Sequence, residues 1–192
     1  MIIGITGGTG SGKTTLLNCI ADLGGLVLDC DRIYHDLLKT DNTLLSAIES
    51  RFPGTVAGNI LDRKKLGSIV FADENALLDL NRITHGAVKK EILRQLETAP
   101  SLSAIDAIGL FEGELDSLCD VTVAVTAPEE IRVQRLMRRD QISEEYAKNR
   151  IAAQHSDSWF AAKCHYVLEN DSTEEAFRIK CLAFLTKLGI MK

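Results

Sequence analysis

Apolar positions in this chain switch between short continuous runs and longer helical spacings. Ile2-Ile3-Gly4-Ile5-Thr6 is a β-branched run that predicts a buried strand, and Thr15 to Leu23 has the spacing of an amphipathic helix. Gly24-Gly25 suit a helix C-cap and the turn beyond it. Leu26-Val27-Leu28 predicts a second buried strand ending in Asp29-Cys30-Asp31, and if the extended geometry continues, Asp29 and Asp31 lean the same way. From Ile33 to about Pro100 the strand–helix alternation lapses. Helical patterns dominate there, over Ile33 to Leu38, Leu44 to Phe52, Arg63 to Phe71 and Asn75 to Leu96, with a turn-rich piece from Pro53 to Asn59. This stretch is too long for a single crossover helix and reads as a helical insertion, 33–100, on the ligand edge of a sheet.

Sheet character returns at Ser103 to Ile108, followed by Leu110-Phe111-Glu112, and Asp120 to Thr126 is the clearest strand of all. It runs into Ala127-Pro128-Glu129-Glu130, which puts proline in the first helical turn and acids near the positive end of the helix dipole. The helix beyond carries Arg132, Arg135, Arg138 and Arg139, then Asp140, and another starts at Ser143 and runs to about Gln154. Cys164 to Asn170 predicts a fifth strand. Ser172-Thr173-Glu174-Glu175 matches a capping box that opens a last helix from Ala176 to about Leu188.

Between the first strand and the first helix lies Gly7-Gly8-Thr9-Gly10-Ser11-Gly12-Lys13-Thr14, which fills every fixed position of the phosphate-loop pattern G-x-x-x-x-G-K-[ST]. Four fixed identities should arise by chance in under ~1 in 100 chains of this size. Glycines let successive backbone N–H groups curl around an anion, and the following helix aims its unpaired N–H groups at the same charge. Lys13 would supply a mobile full charge for the β/γ oxygens of a nucleoside triphosphate, and the Thr14 hydroxyl would ligate Mg²⁺.

Two further groups bear on such a site. Asp29 and Asp31 follow a strand's C-terminal end, where open α/β sheets gather ligands. Four arginines within eight residues are dense for an acidic chain, and positions 132, 135 and 139 share one helical face. Arginine delocalises charge and grips oxygens bidentately, so one or more of them is expected to meet the transferring phosphate, Arg135 and Arg139 being the better candidates. In the insertion, Arg63, Lys64, Lys65, Arg82 and His85 could hold and cover an acceptor.

Composition narrows the partners. At 192 residues the chain suits one α/β domain with a modest insertion. The net charge of −5 argues against broad nucleic-acid or anionic-membrane binding. No apolar run approaches a membrane span, and no basic region precedes the first apolar residues as in a signal peptide. Five scattered cysteines without a C-x-x-C pair read as thiols in a reducing cytosol, so a cytoplasmic location is expected.

With these pieces in place the chain resembles the dephospho-coenzyme A kinases over nearly its whole length. The resemblance rests on Ile5 to Thr15, Leu28-Asp29-Cys30-Asp31, Leu61 to Leu66 with Val70-Phe71, Asn81 to His85, Leu110-Phe111-Glu112, Arg135 to Asp140 with Ile142 to Gln154, and Glu169-Asn170. Gly86 stands where the family usually has proline, and Ile108-Gly109 where Pro-Leu is expected, both bearing on the acceptor pocket. The resemblance implies ATP-dependent phosphorylation of the ribose 3′-hydroxyl of dephospho-coenzyme A, with ATP and Mg²⁺ as cofactors. It also implies a nucleotide core over 1–32 and 101–192, a coenzyme A-binding insertion over 33–100 and a lid over 135–155.

The expected fold is therefore a three-layer P-loop kinase with a five-stranded parallel sheet in the order 2-3-1-4-5. Gly10, Ser11, Gly12, Lys13, Thr14, Thr15 and Asn170 would bind the nucleotide, and Thr14 and Asp29 the metal. Asp29, Arg63, His85 and Glu112 would hold the acceptor, while Asp31 takes its hydroxyl proton with Lys13, Arg135 and Arg139 as the other catalytic groups. Two rivals stay open at this level: a P-loop kinase of another small alcohol or nucleoside, and a nucleotide-dependent switch or regulatory ATPase. Against the latter, the chain has no Asn-Lys-x-Asp for guanine, and Ile105-Asp106 is a poor match to a Walker B strand end. Oligomeric state is left open.

Overall fold

The structure, a computed structural model, describes residues 1–191. Five strands form one sheet: β1 (Ile2–Thr6), β2 (Leu26–Asp29), β5 (Ser103–Asp106), β6 (Val121–Thr126) and β7 (Tyr166–Glu169), in the order β2-β5-β1-β6-β7. Numbering only these five gives 2-3-1-4-5, the expected P-loop kinase order, and the sheet is parallel. β1 sits at its centre, with Ile3 opposite Ala104 on one side and Val121 on the other. Ile3 and Ile5 are fully buried, because a central parallel strand is covered on both faces and reads as a near-continuous apolar run.

By its internal contacts the chain divides into two compact units: Met1–Val27 with the chain from Ala99 onward, and Leu28–Thr98. In the first unit, α1 (Lys13–Asp22) and α9 (Glu174–Lys187) pack together on the sheet. Leu16, Leu17 and Ile20 meet Phe177, Phe184 and Leu185 over Ile3, Ile5, Val123 and Val125. α1 ends as its glycines suggest, with Gly24 N donating to Ala21 O at 2.9 Å and Gly25 N to Ile20 O at 2.9 Å. α6 (Glu129–Asp140) and α7 (Glu144–Ala152) pair through Val133, Leu136, Ala147 and Ile151, and α8 (Asp157–Lys163) packs against β6.

The second unit is built from α2 (Cys30–Thr40), α3 (Asn42–Arg51), α4 (Arg63–Val70) and α5 (Glu74–Leu96), with its own core of Leu38, Leu44, Leu45, Ile48, Phe52, Leu66, Val70 and Ala76. Asp41, Asp62 and Asp73 cap the last three of these helices with their carboxylates. The turn-rich piece conceals a hairpin, β3 (Val56–Ala57) against β4 (Ile60–Leu61). Its two-residue turn, Gly58-Asn59, has φ of 57° and 62°, the left-handed pair such a tight hairpin requires.

Several boundaries differ from the sequence reading for local reasons. Pro128 is the N-cap of α6 rather than part of its first turn. α9 is capped by Thr173, whose hydroxyl accepts from Ala176 N, rather than by Ser172. Leu110-Phe111-Glu112 forms turns, not strand, with Leu115 N and Asp116 N both donating to Leu110 O. The largest difference lies after β2. Extended geometry stops at Asp29 and α2 begins at Cys30, so strand alternation does not govern Asp31.

Candidate active site

The loop leaving β1 is shaped by close approaches that only glycine permits. Gly12 is the N-cap of α1 at φ 100°, and a Cβ there would lie 2.1 Å from Asn170 Nδ2. A Cβ on Gly7 would lie 2.1 Å from the Val125 carbonyl oxygen. The loop's carbonyls are held by side chains remote in sequence. Asn170 Nδ2 donates to Ser11 O at 2.8 Å, and Arg135 Nη1 donates to Gly10 O and Ser11 O at 3.2 Å each. Arg135 Nη2 in turn donates to Asn170 Oδ1 at 3.0 Å, joining the two supports. Lys13 Nζ curls back to Gly7 O at 2.8 Å. The N-terminus of α1, capped by Gly12, directs its backbone N–H groups and positive dipole end toward the loop and so forms the anion-facing end of this cradle. Ser11 Oγ is buried with no hydrogen-bond partner, a polar group left over inside the loop.

The arginine helix is divided along its length. Arg132 is buried, with Nε donating to Thr9 O at 2.9 Å and Nη1 to Asp157 at 3.0 Å. Arg135 is half-buried against the loop, and burial pushes its guanidinium pKa down, offset in part by Glu174. Arg139, one turn further, is exposed and forks onto Asp140 at 2.7 and 3.0 Å. Asp140 also accepts from Arg150 Nη1 at 2.6 Å, tying the end of α6 to α7. Hydrogen bonds from Arg139 first, then from Arg150, hold the Asp140 carboxyl down to about 2. Three residues of one expected face thus do different work: two support the loop and one closes an ion network. Arg132 was expected among the arginines facing the phosphate and instead holds a loop carbonyl, while Gln154, whose partner is a backbone amide 145 residues away, and Asp157, which holds Arg132, were not singled out as site residues.

The remaining candidates divide between the units. In the first, Thr14 is exposed and Thr15 N donates to Gly12 O at 3.1 Å, both in the opening turn of α1. Glu112 is exposed on the turns after β5, where its Oε1 lies 2.9 Å from His155 Nε2, and the His155 ring stacks on Trp159 at 3.7 Å. In the second unit, Asp29 caps α2 by accepting from Arg32 N at 3.0 Å, and Asp31 is exposed in the first helical turn. Arg63 opens α4 with Nη2 3.2 Å from His35 Nδ1, and His85 is half-buried midway along α5. No helix of the described residues is long and apolar enough to cross a membrane.

Comparison with known proteins shows what the chain and its fold are similar to. The family described as dephospho-CoA kinase matches residues 1–175. A dephospho-CoA kinase of Carboxydothermus hydrogenoformans is 36% identical over 193 residues, covering 97% of this chain and 93% of that protein. Among solved structures, TT1252 from Thermus thermophilus superposes with a TM-score of 0.81 at 32% identity, covering 98% of this chain and 97% of that one. A dephospho-CoA kinase from Campylobacter jejuni superposes with a TM-score of 0.68 at 26% identity, covering 99% and 98%.

Proposed function

This chain belongs to the dephospho-CoA kinase family, and from that premise we propose how its own residues perform the reaction. The activity is phosphorylation of dephospho-coenzyme A at its ribose 3′-hydroxyl, the last step in making coenzyme A. The observation that carries this assignment is the family match over residues 1–175, which spans both units and every candidate residue.

ATP is the donor in this reading. The loop amides and Lys13 take its β and γ phosphates, Lys13 exchanging the Gly7 carbonyl for phosphate oxygens. The buried, unpartnered Ser11 hydroxyl supports a cradle with polar capacity left for an anion, and the glycines at 7 and 12 let the loop lie close against Val125 and Asn170, which fixes its shape. Asn170 and Arg135 hold the loop carbonyls away from that anion, and Arg135 brings positive charge close to it. Thr14 and Asp29 are the residues assigned to Mg²⁺: a hydroxyl and a carboxylate are the hard oxygens this ion takes, and it needs only one or two protein ligands beside phosphate and water. When bound, it would neutralise charge on the transferring phosphoryl group.

In the second unit, Arg63 and His85 bind the acceptor's anionic portion and Asp31 takes the proton from its ribose hydroxyl. Glu112 contacts the acceptor from the turns after β5. The segment 135–155 acts as a lid, and Arg139 leaves Asp140 for the phosphate as the lid closes, excluding water that would otherwise hydrolyse ATP. We take this chemistry to run in the cytoplasm, a reading supported by the five free cysteines.

Purified protein incubated with ATP, Mg²⁺ and a panel of acceptors tests the assignment. ADP should form only with dephospho-coenzyme A. Turnover with another alcohol or nucleoside instead, or turnover without any acceptor, would overturn it.

A further inference from the structure

One peptide of the phosphate loop is gripped on both of its polar groups. Arg132 Nε donates to Thr9 O at 2.9 Å, and Thr9 N donates to Gln154 Oε1 at 2.8 Å. Arg132 is 4% exposed, and Asp157 holds its Nη1 at 3.0 Å. A Cβ on Gly8 would lie 2.1 Å from Arg132 Nη2, so the missing side chain is what lets the guanidinium lie along the loop. Gln154 follows α7 by two residues, with its own N–H bonded to Ile151 O at 3.1 Å. The two grips therefore come from the opening turns of α6 and from just beyond the end of α7, helices already packed together.

Gly8 and Gly10 flank Thr9, and glycine neighbours restrain a backbone weakly. A peptide between them would sample several orientations unless something outside the loop fixed it. Here two hydrogen bonds do so, one donated by a charged group and buried, the other part-buried. Resting on the reading that this loop holds the phosphates of ATP, we propose that Gln154 and Arg132 are positioning residues. They set the Thr9 peptide before nucleotide arrives and fasten the root of the lid to the phosphate loop. A loop already in its bound form loses less conformational freedom on binding, so the grip shows as nucleotide affinity.

A groove of about 670 Å³ is lined by Arg132, Ile151, Gln154, His155 and Asp157 among others. Gln154 is therefore held by its hydrogen bond more than by packing, and Gln154→Met, of similar length but without the acceptor, should fit without strain. Three measurements on the full chain test the idea: ADP affinity by calorimetry, the hydrogen exchange of the Thr9 amide without nucleotide, and the KM values for both substrates. Gln154→Met should weaken ADP binding about tenfold and speed Thr9 exchange by a similar factor. KM for dephospho-coenzyme A should stay within about twofold. Gln154→Glu, which keeps an acceptor oxygen, should restore Thr9 protection even where its charge weakens nucleotide binding. If Gln154→Met binds ADP as the wild type does, or Thr9 exchanges no faster, the inference fails while the kinase assignment stands. If both KM values rise together without a change at Thr9, the residue is structural only and the inference fails again. Wild-type protein that binds no ADP would remove the nucleotide reading and this inference with it.

Discussion

The phosphate loop and the start of α2 are built in opposite ways. Carbonyls at Gly7, Thr9, Gly10 and Ser11 are reached by Lys13, Arg132, Arg135 and Asn170, three of which lie more than 120 residues further along the chain. At the start of α2, Asp29 accepts from the amide of Arg32, three residues on, and Arg32 pairs with Asp36 at 3.9 Å within the same helix. The loop is thus a tertiary object whose shape depends on α6 and β7 being in place. The acidic turn is a local object that one helix cap can make. A phosphate cradle has to present several amides at once and benefits from being rigid beforehand. A carboxylate that meets a hydroxyl needs only to be exposed at the right helix end.

The largest expected effect would break the contrast on its local side. Asp31→Asn keeps the shape and removes the basicity, so kcat should fall by about 10²–10⁴ while the melting temperature is unchanged. Asp29→Asn is the matched control, because asparagine caps a helix as well as aspartate. Its defect should be a weaker apparent Mg²⁺ affinity, partly recovered at high metal. Measuring kcat against Mg²⁺ for both variants separates the two roles. Rescue of Asp31→Asn but not of Asp29→Asn would reverse them, and a loss below tenfold in both would leave only an acidic turn.

On the loop side, Lys13→Ala should lower turnover by about 10²–10³ at saturating ATP, the usual cost of removing one placed electrostatic group. Lys13 is half-buried at the loop's end and contributes charge more than packing, so stability should change little. Activity within threefold of wild type would remove it from the phosphate site.

The two regions were also unequally legible. Residues 7–14 announce a phosphate loop because glycine spacing is a direct record of backbone geometry, and the strand order followed from the apolar runs together with the family resemblance. Asp29 and Asp31 were singled out on strand alternation, and the structure corrects that reason: α2 begins directly after β2, so Asp29 is a helix cap and Asp31 lies in the first turn. The hairpin at 56–61 was readable only as a turn, since two-residue strands leave almost no periodicity. Arg132 was read as one of a dense arginine face, but its grip on the loop peptide, like that of Gln154, left no local signal. An arginine on an amphipathic helix and a glutamine after one look like solvated side chains until the fold brings a backbone peptide between them.

α6 allows the contrast to be sharpened within one helix. Arg135→Ala would strand Gly10 O and Asn170 Oδ1 and leave Ser11 O with Asn170 Nδ2 alone, a cost of about 1–3 kcal/mol in stability, with a fall in kcat/KM of about tenfold or more. Arg139→Ala removes an exposed pair, so stability should hold while kcat drops by a smaller factor, since its proposed contact forms only on closure. Melting curves and steady-state kinetics on the two variants decide the matter. Equal losses of stability with full kcat in both would mean that the arginine helix is only a salt-bridged surface.

The smallest effect belongs to the far end of that helix and turns on pH. Asp140 ends α6, where a negative charge opposes the helix dipole, and Arg139 and Arg150 offset it. Those bonds hold its carboxyl at about 2 in the folded chain, against roughly 3.9 when unfolded. Because the folded value is the lower one, the unfolded chain binds the extra proton first as pH falls. The stabilisation is therefore fully present above about pH 4, shrinks below it, and is gone once the folded carboxyl is also protonated near 2. Asp140→Asn should melt slightly below the wild type at neutral pH, and the gap should close between about pH 4 and pH 2. A gap that stays constant through that range would mean that Asp140 stabilises the α6–α7 junction by shape rather than by charge. The lid would then be hinged on packing among Val133, Leu136, Ala147 and Ile151, not on the ion network that Arg139 is proposed to leave.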